Sequence, residues 1–121
     1  MKACDYVDLQ TQRQPDALFA VCSGEQVTYG QAQDAANRIA QAMCAAGLEP
    51  GDRVAIAMRY YREWISSFAA IGSVGGVAVC MNAWWKTDEV AYGLEDSGAK
   101  VLIADIERIR MAEPSLAKLG I

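Results

Sequence analysis

Three short apolar runs recur along this chain at nearly even spacing. They cover 54–58, 77–81 and 101–104, and their starts lie 23 and 24 residues apart. The two gaps hold stretches with helical features, at 62–74 and 88–97. A strand, a helix and a second strand in this order require parallel pairing through right-handed crossovers. Because the runs do not alternate apolar with polar residues, both faces of the sheet should be covered. The pattern predicts a three-layer α/β fold with a mainly parallel sheet.

The stretch from Trp64 to Trp85 contains 22 consecutive uncharged residues. That length meets the requirement of about 20 residues for a membrane-spanning helix. Its interior argues against a span, because Gly75 and Gly76 form a helix stop and the apolar run after them is typical of a buried strand. The sequence therefore predicts a helix followed by a strand, and no transmembrane span.

Capping residues mark the expected helix boundaries. Thr28 and Gln31 form a capping box, which predicts a helix that ends before Gly47. Thr87 is expected to cap the helix between the last two apolar runs. Gly98 is expected to end that helix in a left-handed conformation, which glycine adopts without steric cost.

The remaining segments complete one predicted unit. Two apolar runs flank the turn Ser23-Gly24-Glu25 and predict an N-terminal hairpin at an edge of the sheet. An opening helix is expected over about 5–14, and a closing helix over 106–119, broken or kinked at Pro114. No linker and no repeat beyond the strand–helix period interrupts the chain. Residues 1–121 are therefore expected to form a single N-terminal subdomain.

Composition limits the classes of function. With 53% hydrophobic and 21% charged residues, the chain is typical of globular proteins. The net charge is −4 and the basic residues are scattered, so nucleic acid is not expected as a partner. The absence of histidine excludes Ser–His and Cys–His nucleophile pairs. No apolar run follows Lys2, so no secretory signal is expected. Cysteines that are too widely spaced for a zinc or redox motif indicate free thiols of a cytoplasmic protein, at positions 4, 22, 44 and 80.

Aromatic residues near the predicted strand ends are the main candidates for ligand contact. The carboxyl ends of parallel strands are where clefts form in open α/β sheets, so these side chains could line an apolar pocket. Packing against further protein is the favoured interpretation, because large aromatics are more often core or interface residues. The four aromatics are Tyr60, Tyr61, Trp84 and Trp85.

Other candidate groups are interpreted as structural. Arg59 and Arg62 are expected at the surface, in a bulky turn that lacks the glycines of a dinucleotide fingerprint. The adjacent carboxylates Glu95-Asp96 point in different directions on a helix, which favours a solvated helix end over acid–base or metal chemistry. The glycine cluster at 72–76 lies at a helix end, where helix termination is the expected role. No catalytic, cofactor-binding or metal-binding residue is assigned.

Several segments in fixed order carry a family resemblance. They lie at 18–21, 27–29, 36–40, 47–56, 58–64, 81–85 and 92–103. Together they resemble the N-terminal part of the adenylate-forming (AMP-binding) superfamily, which contains acyl- and aryl-CoA synthetases, luciferases and the adenylation domains of peptide synthetases. The last three segments, which include Asn82-Ala83-Trp84-Trp85, are similar to bacterial long-chain fatty-acid-CoA ligases in particular.

The resemblance implies a parent enzyme that is an acid-thiol ligase. Such an enzyme activates a carboxylic acid, here expected to be a fatty acid, with ATP and magnesium to give an acyl-adenylate. It then transfers the acyl group to the thiol of coenzyme A. The phosphate-gripping loop of the family, rich in Ser, Thr and Gly and ending near a Lys, has no counterpart in this chain. No catalytic residue is therefore carried over, and this chain is expected to hold no cofactor.

The resemblance thus implies that the chain is an N-terminal fragment, inactive alone, of a ligase whose partner is a small-molecule carboxylic acid. Apolar faces that the rest of the enzyme would cover could drive the isolated chain to form a homo-oligomer. The alternative is a stand-alone binding or interaction module that kept the fold without the enzyme, because function belongs to sites and not to folds.

Overall fold

A computed structural model describes residues 3–59 and 61–121. Five helices and five strands follow one another within these residues. In chain order they are α1 (Ala3–Arg13), β1 (Leu18–Cys22), β2 (Glu25–Thr28), α2 (Tyr29–Ala45), β3 (Arg53–Ala57), α3 (Arg62–Ser73), β4 (Val77–Cys80), α4 (Thr87–Ser97), β5 (Val101–Ala104) and α5 (Ile106–Leu119). The bounds of β4, α3 and α4 differ from the expected ones by one residue at one end, and those of β3 differ by one residue at each end.

The sheet contains three parallel strands in the order β4-β3-β5. Val54 of the central strand pairs with Ala78 on one side and with Val101 on the other. This confirms the predicted parallel sheet. The long uncharged stretch is divided between α3, β4 and their connections, and α3 has only 12 residues. Among the described residues, no helix combines the length and the apolar character that a membrane crossing needs.

The central strand is buried on both faces. Val54 and Ile56 point to one face, where α2 and α3 pack, whereas Ala55 and Ala57 point to the other face, where α4 and α5 pack. Opposite faces follow from the handedness rule. The connection from β3 to β4 runs in one direction across the sheet, and the connection from β4 to β5 runs back, so two right-handed crossovers must use opposite faces. The predicted three-layer architecture is confirmed.

Two predicted helix boundaries differ in outcome. At the start of α2, Thr28 Oγ1 accepts from Gln31 N–H at 3.2 Å, and Gln31 Oε1 accepts from Thr28 N–H at 3.0 Å, which confirms the capping box. At α4 the expected cap at Thr87 is wrong, because Lys86 is the N-cap residue. Its N–H donates to the Glu89 carboxylate at 2.8 Å, so the backbone N–H at the start of the helix is bonded to a carboxylate and no hydroxyl is needed. Gly98 ends α4 with φ 62°, as predicted.

Two further expectations are corrected. The hairpin of β1 and β2 forms a separate two-stranded sheet instead of an edge of the main sheet. It packs near α2, with the rings of Phe19 and Tyr29 4.9 Å apart. Helix α5 is one continuous helix with Pro114 inside it, so the expected break is wrong and the expected kink stays a prediction. Tertiary packing, including the fully buried Ala112, favours the helix over the local preference of proline.

Candidate functional site

A cavity of about 600 Å³ opens at the carboxyl ends of β3 and β4. The connection after β3 leads to α3 on one face of the sheet, and the connection after β4 leads to α4 on the other. Such a divergence leaves a crevice between the two strand ends, which is where open α/β sheets bind their ligands. The cavity is lined by Met58, Arg59, Trp64, Cys80, Met81, Asn82, Ala83 and Trp84.

The two adjacent tryptophans have different environments. Trp85 is half-buried and packs against this chain's own core on the α4–α5 face. Trp84 is 68% exposed and lines the cavity, and packing against further protein stays a prediction for this residue. The Asn82 side-chain oxygen accepts from Trp84 N–H at 2.9 Å and fixes the turn that presents the ring. Tyr61 is exposed outside the cavity lining, and Tyr60 lies outside the described residues.

Arg59 supplies the positive charge of the cavity. Its guanidinium carbon lies 4.4 Å from the centroid of the Trp84 ring, a distance at which a cation is attracted to the face of an aromatic ring. Its Nε is buried and has no hydrogen-bond partner among the described residues. Arg59 is half-buried, which corrects the surface interpretation, whereas Arg62 is exposed as expected. The cavity therefore combines an apolar wall with one cation.

A buried ion pair joins the ends of all three strands. Asp105 follows β5, and its carboxylate accepts from the Arg108 guanidinium at 3.2 Å and from Arg59 N–H, after β3, at 3.2 Å. Arg108 Nε and Nη2 both donate to the carbonyl oxygen of Ala83, after β4, at 3.0 and 2.6 Å. The Arg108 side chain is only 4% exposed. These contacts hold the loops that carry Arg59 and Trp84.

Both members of this pair remain charged. Burial raises the pKa of Asp105, but hydrogen bonds from Arg108 and Arg59 outweigh burial and lower the pKa below its usual value. Burial lowers the pKa of Arg108, but the Asp105 and Glu107 carboxylates together outweigh burial and raise it. Sequence inspection missed Arg108. The available signal was its position three residues after an aspartate that begins a helix, since Asp105 also accepts from Arg108 N–H at 3.0 Å as the N-cap.

The described residues show neither a glycine-rich turn after β3 nor a cluster of metal-ligating side chains. The turn after β3 carries Arg59 and Tyr61 instead of glycines, and the N-cap Tyr61 makes no side-chain capping bond. No group of three or more Cys, Asp and Glu side chains in the described part of the chain could hold a metal. Glu95 and Asp96 are exposed at the end of α4. Gly75, with φ 75°, follows α3 and precedes β4, at the end of the sheet opposite the cavity.

The sequence matches the family model of the AMP-binding enzymes over residues 7–120. This chain belongs to the AMP-binding enzyme family. It is 35% identical over 96 residues to the fatty acid–[acyl-carrier-protein] ligase ScoC of Streptomyces coeruleorubidus, an alignment that covers 79% of this chain and 18% of the relative. It is 40% identical over 77 residues to the long-chain-fatty-acid–CoA ligase FadD13 of Mycobacterium tuberculosis, covering 64% of this chain and 15% of the relative.

Solved structures of AMP-binding enzymes share the fold. The anthranilate CoA ligase AuaEII, solved in complex with anthranoyl-AMP, superposes with a TM-score of 0.89 and 26% sequence identity. The superposition covers 98% of this chain and 23% of that protein. The matched region thus covers less than a quarter of each of ScoC, FadD13 and AuaEII. The names of ScoC and FadD13 refer to fatty acids, whereas the name of AuaEII refers to an aromatic acid, anthranilate.

Proposed function

We propose that this chain is the N-terminal part of an ATP-dependent acid–CoA ligase. The parent enzyme converts a carboxylic acid to an acyl-adenylate and passes the acyl group to coenzyme A. The observation that carries this proposal is the family match over residues 7–120 in a chain whose alignments cover only 18% of ScoC and 15% of FadD13. Adenylation suits this reaction, because AMP is a far better leaving group than the oxide of a free carboxylate.

In this proposal the chain supplies binding surface and not reaction chemistry. Its cavity offers one cation, an exposed indole ring and an apolar wall, without a nucleophile–base pair. ATP, magnesium and coenzyme A are assigned to groups elsewhere in the parent enzyme. The isolated 121-residue subdomain is expected to bind neither ATP nor coenzyme A in calorimetric titrations, and measurable pyrophosphate exchange by it would contradict this assignment.

A fatty acid is the proposed substrate class. It is supported by the fatty-acid ligases among the relatives, of which FadD13 is 40% identical over its matched residues. An aromatic acid is the competing class, because AuaEII has the same fold over this region. The test is ATP–pyrophosphate exchange by the full-length protein with saturated fatty acids and with substituted benzoates. Turnover confined to the benzoates would overturn the fatty-acid assignment and keep the ligase.

The cavity itself can be tested in the full-length enzyme. Arg59→Ala removes the cation that stacks on Trp84, and we expect a higher KM with little change in kcat, because the residue binds and does not react. Arg62→Ala is the matched control, since Arg62 lies nearby as the first residue of α3 but is exposed and pairs with Glu25 at 3.4 Å. Equal effects of the two substitutions on KM would show that the substrate does not bind in the cavity.

The parent enzyme is proposed to act in the cytoplasm, since Cys22, Cys44 and Cys80 are free thiols. Self-association of the isolated chain is also proposed, through apolar side chains such as the 67% exposed Tyr92 and the 67% exposed Ile106. Cell fractionation tests the first proposal. A monomeric sedimentation profile at high concentration would contradict the second.

A further inference from the structure

Gly93 lies in the middle of α4, at a position where the backbone does not require glycine. Its conformation is helical and not left-handed. Apart from proline, glycine is the least favourable residue in a helix interior, so alanine would suit the helix better. The reason for glycine is the packing above it. A Cβ at this position would lie 2.5 Å from Trp85 Cζ3 and 3.0 Å from Met81 Cε, closer than nonbonded carbon atoms approach each other.

The Trp85 ring therefore packs directly on the backbone of α4. Trp85 and Met81 belong to the core on the α4–α5 face, where Val90 and Leu94 of the same helix are each 1% exposed. A core packed at this density transmits a displacement instead of absorbing it. An added methyl group at Gly93 would push the rigid indole back by about 1 Å before the two reach ordinary contact distance.

The same two side chains also connect to the cavity at the carboxyl ends of β3 and β4. Met81 lines the cavity directly. Trp85 is linked to Trp84 through one turn, in which Asn82 accepts from both residues. Its side-chain oxygen accepts from Trp84 N–H at 2.9 Å, and its backbone carbonyl accepts from Trp85 N–H at 3.1 Å. The two tryptophans thus share one anchor, with one ring against α4 and the other over the Arg59 guanidinium.

The turn has little freedom to absorb a displaced indole, because the chain is held on both sides of it. Before the turn, Met81 N–H donates to a carbonyl of β3 at 3.0 Å. After the turn, Lys86 N–H donates to the Glu89 carboxylate at 2.8 Å. With both ends held, retreat of the Trp85 ring from α4 is expected to rotate the turn and to tilt the Trp84 ring in the cavity.

We propose that Gly93 and Trp85 form a positioning pair for the cavity. Glycine at position 93 admits the indole of Trp85 against α4, and the packed indole sets the angle at which Trp84 faces Arg59. Neither Gly93 nor Trp85 lines the cavity, so the pair acts on the ligand only through Trp84 and Met81. The inference deepens the proposed function and rests on it in one respect, namely that the cavity binds a substrate of the parent enzyme.

Steady-state kinetics of the full-length enzyme test the pair, with the substrate whose KM rises in Arg59→Ala. Gly93→Ala is expected to raise the KM of the same substrate at least about fivefold and to change kcat less than about twofold, because a tilted wall weakens binding and leaves the reacting groups in place. Asp96→Ala is the matched control. It also gives α4 a better helix former but adds no atom, so KM should stay within about twofold. An unchanged KM in Gly93→Ala overturns the proposal.

A double variant separates the positioning pair from a general defect of α4. Trp85→Leu removes the ring atoms that meet Gly93, and it is expected to raise KM by itself because the turn loses its support. Gly93→Ala should then add less than about twofold in the Trp85→Leu background. Equal effects of Gly93→Ala with and without the ring overturn the proposal. If Gly93→Ala alone does not fold, Trp85→Leu decides, and an unchanged KM in that variant overturns the proposal.

Fluorine NMR distinguishes failure of this inference from failure of the proposed function. In full-length protein labelled with 5-fluorotryptophan, the signal that disappears in Trp84→Phe is expected to move in Gly93→Ala and to stay in place in Asp96→Ala. The same signal decides if Arg59→Ala raises the KM of no substrate. A moved signal in a protein without pyrophosphate exchange keeps the positioning pair and removes the proposed function. An unmoved signal in an active ligase overturns the pair and keeps the ligase.

Discussion

The two ends of the parallel sheet are each joined by an ion pair, and the two pairs differ in burial. At the amino end, Lys100 Nζ lies 2.7 Å from Asp52 Oδ1, with the lysine side chain 58% exposed. At the carboxyl end, Arg108 lies 3.2 Å from Asp105, with side chains 4% and 13% exposed. Distance alone would rank the first pair higher. Burial reverses the order, because water and salt screen exposed charges, whereas a buried charge depends on its partner.

The difference matches what each end carries. The amino end holds turns, and the hydrogen bond from Lys100 lowers the pKa of Asp52 without ordering a cavity. The carboxyl end holds the loops of Arg59 and Trp84, whose positions depend on contacts made by Asp105 and Arg108. The more deeply buried pair therefore lies at the end of the sheet that carries the cavity.

The largest expected effect is at the carboxyl end. Arg108→Met keeps most of the side-chain volume but leaves the Ala83 carbonyl without its guanidinium donors and the Asp105 carboxylate without its cation, with only the backbone N–H groups of Arg59 and residue 108 still donating to it. Breaking one partner of a buried pair costs about 3–5 kcal/mol in the free energy of unfolding. Urea titrations followed by circular dichroism measure this loss. Arg108→Lys is the matched control and should recover only part of it, because lysine lacks the fork that reaches both acceptors. A loss below about 1 kcal/mol would contradict a buried pair.

Acid should reproduce part of that loss. Since folding lowers the pKa of Asp105, its contribution is complete above the usual value of about 3.8 and is lost as the pH falls through the lowered pKa. The free energy of unfolding should therefore decrease more steeply below pH 4 in the native protein than in Asp105→Asn. Identical slopes for the two proteins between about pH 5 and pH 2 would show that Asp105 does not contribute.

A smaller effect is expected from the amino end. Gly98→Ala places a Cβ in a left-handed conformation and 2.9 Å from Arg53 Nη2, at an expected cost of about 1–2 kcal/mol in the free energy of unfolding. Gly120→Ala is the matched control, with φ 69° and nothing within 4 Å of the added atom. Thermal unfolding of both variants separates backbone strain from displacement of Arg53. A stable Gly98→Ala variant would contradict the left-handed helix end.

The smallest effect completes the comparison. Lys100→Met breaks the exposed pair with the same replacement residue that is used at Arg108. We expect a loss of at most about 1 kcal/mol, which should vanish in about 1 M salt. Asp52 also keeps its contact with Glu49 N–H at 2.9 Å. If Lys100→Met cost as much as Arg108→Met, burial would not be the property that distinguishes the two ends.

Local sequence patterns predict most of the helices and strands. The bounds of β5 and the capping box at Thr28 follow from the sequence because apolar runs and cap residues act within a few positions. The order of the strands does not follow from periodicity, which assigns faces but not neighbours. The predicted N-cap of α4 at Thr87 is wrong because the Glu89 carboxylate accepts from the Lys86 N–H. A glutamate three residues after the N-cap position can thus mark a helix start where the N-cap residue has no hydroxyl.

The candidate site was less accessible from the sequence. Trp84 and Trp85 are identical in type and adjacent, yet one faces the cavity and the other the core, which depends on the turn fixed by Asn82. Arg108 is distinguished from other arginines on helices by its contact with the Ala83 carbonyl at the end of β4. Local patterns can indicate the N-cap at Asp105 and the turn at Asn82, but the contact between Arg108 and Ala83 joins segments distant in sequence and follows from the fold.

The central position of β3 also bears on how the protein is made. When a growing chain has emerged only as far as Cys80, α2, α3 and β4 can already cover Val54 and Ile56. The opposite face of the same strand, with Ala55 and Ala57, has no cover until α4 and α5 follow. A nascent chain therefore presents an unprotected apolar surface for the time needed to synthesise these two helices, and that surface is a natural place for a chaperone to act.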